Sequence, residues 1–351
     1  MIRVLAAGDR FIRSSLLRSE LERAVPEGLD IAEMEFSWPD TPFGRVAEVD
    51  EASGSEEQLI EALRGSTAIL TQLAPLTERV MDAVPELRFI GVSRGGPTNI
   101  NVDAARERGI QVANVPGRNG VATAEMTLGL ALALMRRIPL AQKSLMDATW
   151  RGDLYRSDAV GREVAGSVIG LLGAGAVGSH VARTLVAMGA HVLVFDPYLA
   201  PGRLGEGVEQ VSSAEEVFRR SDLVSVHARL TPETEHMVNA ATLALMKPGA
   251  LLVNAARGGL VDYDAVAHAI ESGTLGGAAF DVYPQEPVDF SHPLFRLAAE
   301  GKDVVVTPHI AGASQETATR AARGVAEELR RFLNGEPAMS PLADGARAAL
   351  L

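Results

Sequence analysis

The chain of 351 residues contains no cysteine and has fewer basic than acidic side chains. The lack of cysteine excludes disulfides, thiolate metal sites and cysteine nucleophiles, and we predict no metal site. The 33 Lys and Arg residues against 45 Asp and Glu residues give a formal net charge of −12. This charge argues against nucleic acid or an anionic membrane as the main partner, although it leaves room for a local basic pocket.

The sequence also lacks a long apolar run. The opening stretch "MIRVLAAGDR" has no basic leader and no cleavage pattern. The longest helical apolar segment, Val121 to Met135, is short for a membrane span and contains Glu125. We therefore expect no targeting segment and no membrane partner, and we predict a cytoplasmic location.

Length and hydrophobic pattern predict an α/β protein of two domains, because 351 residues are too many for one small core. Apolar runs of strand length alternate with helical patterns, which indicates parallel sheets with helices on their faces. The first series comprises "IRVLAAG", "DIAEMEF", "TAILTQ", "LRFIGVS" and "GIQVANV", and the second comprises "SVIGLL", "HVLVFD", "LVSVHA", "GALLVNAA", "GGAAFDVY" and "VVVTPH".

Three other segments have distinct characters. "FSWPDTPFG" is typical of a surface loop, and Gln315 to Leu333 predicts an amphipathic helix after which we expect no third domain. In "VATAEMTLGLALALMRRI" apolar residues fall on every side, so we expect a helix that is buried all round. Such a helix is either a core helix between domains or a helix at a subunit contact.

"SVIGLLGAGAVGSHVARTLVAMGAHVLVFD" contains the most diagnostic motif, a G-x-G-x-x-G formed by Gly173, Gly175 and Gly178. It follows a predicted strand and opens a helix, which is the context of a dinucleotide-binding turn. Gly173 allows the tight turn, Gly175 lets a pyrophosphate approach the backbone, and Gly178 lets the helix pack near the strand. The N–H groups at the helix start, near Ala176 and Val177, attract phosphates.

Asp196 ends the second strand of this unit, 18 residues after Gly178. Its carboxylate is placed to accept hydrogen bonds from the adenosine ribose, and its charge repels a 2′-phosphate. Because "DPY" brings no adjacent Arg, we predict NAD as the cofactor and not NADP.

Three later strand ends carry candidate catalytic residues. Arg257 follows "LLVNAA", Glu286 follows "AAFDVYPQ" and His309 follows "VVVTP". Taken singly, each has an ordinary interpretation as a surface Arg in an ion pair, a solvated loop Glu and a structural His. Taken together, they match hydride transfer on a 2-oxo acid: a guanidinium grips the carboxylate, an imidazole moves the proton, and a carboxylate tunes the imidazole.

The sequence resembles the D-isomer-specific 2-hydroxyacid dehydrogenases over nearly its whole length, most clearly in "GLLGAGAVG", "HARLTPETEHMVN", "MKPGALLVNAARGGLVDYDAV", "GGAAFDVYPQEP", "HPLF" and "VVVTPHIAGAS". The resemblance implies a Rossmann NAD-binding domain over 115–310, inserted into a flavodoxin-like substrate domain formed by 1–114 and 311–351. It also implies a homodimer built around the helix that begins near Val121.

The resemblance assigns roles to matching positions. Arg257 would orient the carboxylate and oxo group, and His309, hydrogen-bonded to Glu286, would be the acid in reduction and the base in oxidation. Asp281, which taken alone is a possible cap or turn former, would hold the nicotinamide carboxamide alongside the Ala255 backbone. His227 would line the adenosine side of the cofactor site.

One loop departs from the family pattern, since "GVSRGGPTNINVD" stands where many relatives have a short Gly-containing turn ending in Asp-Asn. That loop presents backbone N–H groups to the substrate carboxylate, and Arg94, Gly95 and Gly96 fall on it here. An added Arg94 favours a substrate with a second anionic group. Alternatively, Arg94 pairs with an acidic residue such as Asp103.

We therefore predict an NAD-dependent enzyme that interconverts a D-2-hydroxy acid and its 2-oxo acid. Glyoxylate, hydroxypyruvate, phosphoglycerate-derived and sugar-acid substrates all fit this framework. The competing hypotheses are an NAD(H)-sensing binding protein of the same fold and a relative that acts on formate or phosphite.

Overall fold

The computed structural model describes residues 1–38, 44–200, 202–340 and 342. The chain divides into two compact units: unit 1 contains Met1–Arg118 and Ser314–Leu351, and unit 2 contains Asn119–Ala313. The loop predicted in "FSWPDTPFG" lies largely on residues 39–43, outside the described residues.

Unit 1 is built on a five-stranded parallel sheet with the spatial order β2-β1-β5-β6-β7. Without the β3-β4 hairpin, this is the 2-1-3-4-5 order of a flavodoxin-like sheet. Its strands are β1 (Ile2–Gly8), β2 (Leu29–Glu35), β5 (Ala68–Thr71), β6 (Phe89–Val92) and β7 (Gln111–Asn114), and the hairpin is β3 (Gly44–Val46) with β4 (Val49–Ala52). Its helices are α1 (Ser14–Ala24), α2 (Glu56–Leu63), α3 (Glu78–Ala83), α4 (Val102–Glu107) and α12 (Gln315–Leu333).

Continuous apolar runs make the central strands of unit 1, because helices cover both faces of the sheet. Every residue of β5 and of β6 is buried, as expected for a parallel sheet. The amphipathic helix α12 packs against α1 and β6 through small and apolar residues of one face. The predicted helix Gln315–Leu333 is confirmed, whereas the short β3-β4 hairpin was not predicted.

Unit 2 is a seven-stranded parallel sheet with the order β10-β9-β8-β11-β12-β13-β14. Counted from its first strand the order is 3-2-1-4-5-6-7, which extends the Rossmann order by one strand. The strands are β8 (Val168–Leu172), β9 (His191–Phe195), β10 (Val208–Gln210), β11 (Leu223–Val226), β12 (Ala250–Asn254), β13 (Leu275–Phe280) and β14 (Val304–Val306). The helices are α5 (Gly120–Met135), α6 (Ile138–Met146), α7 (Ala176–Ala187), α8 (Ala214–Arg220), α9 (Ala240–Leu243), α10 (Tyr263–Glu271) and α11 (Pro293–Ala299). The predicted α/β class with parallel sheets is confirmed.

Helix α5 is apolar on all sides, but within the single chain it is not buried all round. Val121 is 41% exposed, and Glu125 and Gly129 continue an exposed stripe at intervals of four residues. The opposite face packs in a core of unit 2. The helix ends at Met135, because Arg137 adopts a left-handed conformation with a φ of 54° before α6. The single chain thus leaves one stripe of this helix uncovered.

Among the described residues, no helix is both long enough and apolar enough to cross a bilayer.

Candidate active site and cofactor site

The three candidate catalytic residues follow three neighbouring strands of unit 2. Arg257 lies three residues after β12, Glu286 six after β13 and His309 three after β14, and these strands are adjacent in the sheet. The carboxyl ends of parallel strands meet at one edge, where open α/β sheets bind their ligands. The fold therefore brings these residues to the same edge of unit 2.

His309 and Glu286 form a direct pair. The His309 Nδ1 atom lies 2.7 Å from Glu286 Oε2, and the imidazole is half exposed. Because the carboxylate accepts the Nδ1 proton, the Nε2 atom is the ring nitrogen that remains for another partner. The His309 backbone has a φ of 53°, an uncommon left-handed conformation in which His is enriched among non-glycine residues.

Glu286 is held in its ionised form. Partial burial opposes ionisation, but the hydrogen bond and the charge of His309, the Tyr283 N–H and the Arg257 charge together hold the pKa of Glu286 below its ordinary value. The Tyr283 N–H donates to Glu286 Oε1 at 3.0 Å, so both carboxylate oxygens are engaged. Arg257 therefore acts electrostatically on the carboxylate that contacts His309.

Asp281 anchors the loop that carries His309. Its side chain is fully buried, and it accepts hydrogen bonds from Thr307 Oγ1 at 2.6 Å, from the Ile310 N–H at 2.9 Å and from the Ala311 N–H at 2.7 Å. These donors flank His309 on both sides. The Asp281 carboxylate thus fixes the backbone on both sides of His309. The predicted contact of Asp281 with the nicotinamide carboxamide stays a prediction.

A second buried polar side chain shapes the turn that presents Arg257. The fully buried Asn254 accepts from the Ala256 N–H at 3.0 Å and donates to the Arg257 carbonyl at 2.9 Å. Gly258 lies so close to the next loop that a Cβ would stand 2.0 Å from the Tyr283 carbonyl carbon. The Arg257 turn and the loop leading to Glu286 are therefore in contact, and the exposed guanidinium projects beside them.

Two glycines of the motif, Gly173 and Gly178, are required by the close packing of the turn itself. Gly173 has a φ of 101°, and a Cβ there would lie 2.8 Å from the His227 carbonyl carbon. At Gly178 a Cβ would lie 2.3 Å from the Gly173 carbonyl oxygen. Both positions need glycine for the fold of the turn itself, as the motif predicts.

Gly175 and Asp196 fit a dinucleotide. A Cβ at Gly175 would meet no atom within 4 Å, so the protein's own packing does not require glycine there. Gly175 is the N-cap of α7 and makes no side-chain cap, which leaves the first N–H groups at exposed Ala176 and partly exposed Val177 for an anion. Asp196 lies beside this turn, accepting from the Ala174 N–H at 2.8 Å and the Tyr198 N–H at 2.9 Å. The residues present therefore match the requirements of an NAD site.

The remaining cofactor candidates lie around this turn and at the end of β12. The His227 N–H donates to the Leu172 carbonyl at 2.8 Å, which places His227 beside the glycine turn. Burial of the ring lowers the pKa of His227 to about 4, and its Nε2 lies 3.0 Å from Ser225 Oγ. Ala255 is buried and directly follows β12. A neutral His227 fits a lining role without proton transfer.

In unit 1, Arg94, Gly95 and Gly96 lie on the loop after β6. The Arg94 guanidinium donates to the Glu51 carbonyl at 3.1 Å and forms an ion pair with the Glu51 carboxylate. Arg94 does pair with an acidic residue, as the second interpretation expected, and the partner found is Glu51. Gly95 is exposed, and its carbonyl accepts from Asn114 Nδ2 at 2.8 Å.

Sequence reasoning missed several supporting residues. Asn254 and Thr307 were not singled out, and the tight packing of the buried Gly258 was not expected. A polar residue at the end of a buried strand, as in "LLVN", was the available signal for Asn254. No sequence signal marked Thr307, because its partner Asp281 lies 26 residues away.

Comparison with known proteins agrees with this geometry. The family model described as "D-isomer specific 2-hydroxyacid dehydrogenase, NAD binding domain" matches residues 128–311. D-3-phosphoglycerate dehydrogenase from Synechocystis is 38% identical over 298 residues, which cover 84% of this chain and 52% of that protein. Glyoxylate reductase from Korarchaeum cryptofilum is 37% identical, covering 82% of this chain and 86% of that protein. The structure of D-lactate dehydrogenase with NAD⁺ from Lactobacillus jensenii has a TM-score of 0.77 and 25% identity, covering 98% of this chain and 100% of that chain.

The chain belongs to the D-isomer-specific 2-hydroxyacid dehydrogenase family. Its cofactor is NAD, as the glycine motif and Asp196 predicted. The chain spans about half the length of the first curated relatives that it matches.

Proposed function

We propose that the protein is an NAD-dependent oxidoreductase that interconverts a D-2-hydroxy acid and its 2-oxo acid. Unit 2 supplies the cofactor site and the catalytic residues. The observation that carries this proposal is the pairing of His309 with an ionised Glu286 at the sheet edge where Arg257 also lies.

Arg257 binds the substrate carboxylate in this proposal. Its guanidinium is exposed and held at the strand end by a turn that Asn254 and Gly258 shape. A planar guanidinium binds a carboxylate through two parallel hydrogen bonds, which orients the neighbouring oxo carbon. Orientation of this carbon selects the face that reacts and hence the D configuration.

His309 moves the proton. In reduction, the Nε2 of a protonated His309 donates to the oxo oxygen, and in oxidation the neutral ring accepts the hydroxyl proton. Glu286 holds Nδ1 and stabilises the protonated ring through its negative charge. When bound, NADH supplies the hydride to the substrate carbon.

Substrate turnover tests the proposal directly. NADH oxidation is measured with glyoxylate, hydroxypyruvate, pyruvate and phosphohydroxypyruvate, and the chirality of each chiral hydroxy acid formed is determined. We expect turnover of at least one of these acids, with D products where the product is chiral. Tight NADH binding without turnover of any of them would contradict the proposal and favour an NAD(H)-sensing protein.

We further propose a homodimer formed through α5 and the segment that follows it. Large hydrophobic side chains are exposed throughout this region, and Met146, Trp150 and Tyr155 are 78%, 85% and 92% exposed. The stripe of α5 that begins at Val121 is exposed as well. Large exposed apolar side chains of this kind are typical of a protein interface.

Sedimentation velocity of the wild type and of Trp150→Glu tests this interface. We expect a dimer for the wild type and a shift toward monomer for the variant, while Tyr198→Glu, on an exposed tyrosine outside the region, sediments as the wild type does. A monomeric wild type would contradict the homodimer. The cytoplasmic location stays a prediction.

A further inference from the structure

Tyr283 is bonded to both members of the catalytic pair through two different groups. Its backbone N–H donates to Glu286 Oε1 at 3.0 Å, and the other oxygen of that carboxylate lies 2.7 Å from His309 Nδ1. Its phenolic hydroxyl donates to the Thr307 carbonyl at 3.0 Å, and the His309 N–H donates to the same carbonyl at 3.1 Å. These residues therefore close a ring of hydrogen bonds around the imidazole.

The backbone of Tyr283 also touches the turn that presents Arg257. A Cβ on Gly258 would stand 2.0 Å from the Tyr283 carbonyl carbon, so the two loops pack backbone against backbone. Tyr283 thus contacts each of the loops that carry the candidate catalytic residues, and all of these contacts lie within unit 2.

The phenol ring of Tyr283 is packed so that its hydroxyl is aimed at the His309 turn. The ring of Phe295 in α11 lies 6.0 Å away between centroids, and the ring of Tyr263 in α10 lies 6.2 Å away. Burial, together with the charge of Asp281, raises the pKa of Tyr283 to about 12. The hydroxyl therefore keeps its proton and acts as a hydrogen-bond donor.

We propose that Tyr283 is a positioning residue, which sets the imidazole of His309 against the Glu286 carboxylate. Its N–H fixes one carboxylate oxygen while the other faces Nδ1, and its hydroxyl fixes the turn that carries the ring. The inference rests on the proposed function, because proton transfer by His309 needs a set distance and direction to the substrate oxygen. Since Tyr283 acts through His309, its loss lowers kcat and leaves the KM for the oxo acid unchanged.

Tyr283→Phe isolates the contribution of the hydroxyl. The variant keeps the ring and the N–H bond to Glu286. It loses the bond to the Thr307 carbonyl and a longer contact of 3.5 Å with the Phe280 carbonyl.

Tyr263→Phe is the matched control. It removes a second phenolic hydroxyl of the same aromatic cluster, which donates to the Val282 carbonyl and not to the turn that carries His309. We expect both variants to lower the free energy of unfolding, because each loses a hydrogen bond to a backbone carbonyl.

Kinetics with the best 2-oxo acid of the panel provide the first readout. We expect Tyr283→Phe to lower kcat by roughly 3- to 10-fold, while KM and the Kd of NADH change by less than about twofold. Tyr263→Phe should keep kcat within about twofold of the wild type. In a His309→Asn background, Tyr283→Phe should lower kcat no further but should still lower the free energy of unfolding.

The same loss of kcat in Tyr263→Phe, or an undiminished loss in the His309→Asn background, would overturn the proposal. Either result would show that the hydroxyl contributes to the fold and not to the placement of His309.

The second readout needs no turnover and uses ¹⁵N NMR of histidine-labelled protein at about pH 9, where an imidazole is neutral. The His309 signal is assigned by its loss in His309→Asn. We expect the Nδ1–H tautomer in the wild type, because Glu286 accepts that proton, and a measurable fraction of Nε2–H in Tyr283→Phe.

The NMR outcome separates this inference from the proposed function. An unchanged tautomer in Tyr283→Phe would overturn the positioning role even if the enzyme turns over 2-oxo acids. Conversely, a protein that shows the change in tautomer but turns over no 2-oxo acid would retain the role of Tyr283 in placing His309 and contradict the proposed activity.

Discussion

Asp281→Asn tests whether a buried carboxylate holds the catalytic loop. The substitution keeps the size of the side chain but replaces one acceptor oxygen with an NH₂ group. In the wild type, Oδ1 accepts from Thr307 and Ile310, and Oδ2 accepts from the Ala311 N–H. An asparagine that preserves the Oδ1 contacts turns its NH₂ toward the Ala311 N–H, so two donors face each other in a buried position.

The magnitude follows from these contacts. A hydrogen bond to a charged group contributes about 1.5–3 kcal/mol, and an unsatisfied buried donor costs a further ~1–3 kcal/mol. One bond is lost and two lose their charge assistance, so we expect Asp281→Asn to lower the free energy of unfolding by about 3–6 kcal/mol. His309 lies between these anchoring points, and an imidazole displaced by a fraction of an ångström should lose roughly 10- to 100-fold in kcat.

Urea denaturation without cofactor isolates the structural effect from any contact of Asp281 with nicotinamide. Thr307→Val is the matched control, because it removes the 2.6 Å bond from the hydroxyl to Asp281 and a longer contact of 3.4 Å with the Phe280 carbonyl, but leaves both backbone donors to Asp281 satisfied. We expect it to lower the free energy of unfolding by about 1–2 kcal/mol. An Asp281→Asn variant as stable as the wild type would refute the anchoring role of the carboxylate.

Three further predictions follow from the glycine turn, the catalytic pair and a buried acid. Gly175→Ala should weaken NADH binding, measured by fluorescence titration, while its free energy of unfolding stays near that of the wild type. Gly178→Ala should have a lower free energy of unfolding, because its Cβ would lie 2.3 Å from a carbonyl oxygen. The reverse pattern would contradict the assignment. Glu286→Gln replaces the carboxylate that holds His309 Nδ1 with a neutral amide, so the kcat of oxo-acid reduction should fall by roughly 10- to 100-fold, and an unchanged kcat would exclude this coupling. Burial raises the pKa of Asp9 to about 6, so its ionisation destabilises the fold as the pH rises from about 4 to about 6. Asp9→Asn should therefore have the same free energy of unfolding as the wild type near pH 4 and exceed it by about 3 kcal/mol above pH 6. A difference that stays constant across this pH range would contradict the prediction.

The elements that sequence predicted well are those whose pattern is strong locally. The helix Gln315–Leu333 shows an apolar face with the helical period, and its predicted bounds are those observed. The central strands are continuous apolar runs, because both faces of a parallel sheet are covered. The strands β3 and β10 have only three residues each, too few to show a period, and they were missed.

The candidate site was predictable in its chemistry but not in its supporting contacts. Strand ends and residue types singled out Arg257, Glu286 and His309, since ligands bind beyond the carboxyl ends of parallel strands. The partner of Arg94 was not predictable, because Glu51 lies 43 residues away and reaches it only through the folded chain. The exposed stripe of α5 was not predictable either, because an apolar sequence does not show which face of the helix is covered by the chain itself.

Of all these measurements, the kinetics of His309→Asn test the central claim most directly. The wild type and the variant are compared for kcat with the best 2-oxo acid of the panel and for the Kd of NADH. If His309 is the proton donor, kcat falls by about 10²- to 10⁴-fold while the Kd of NADH changes by less than about twofold. A variant that keeps the wild-type kcat would contradict the assignment of proton transfer to His309.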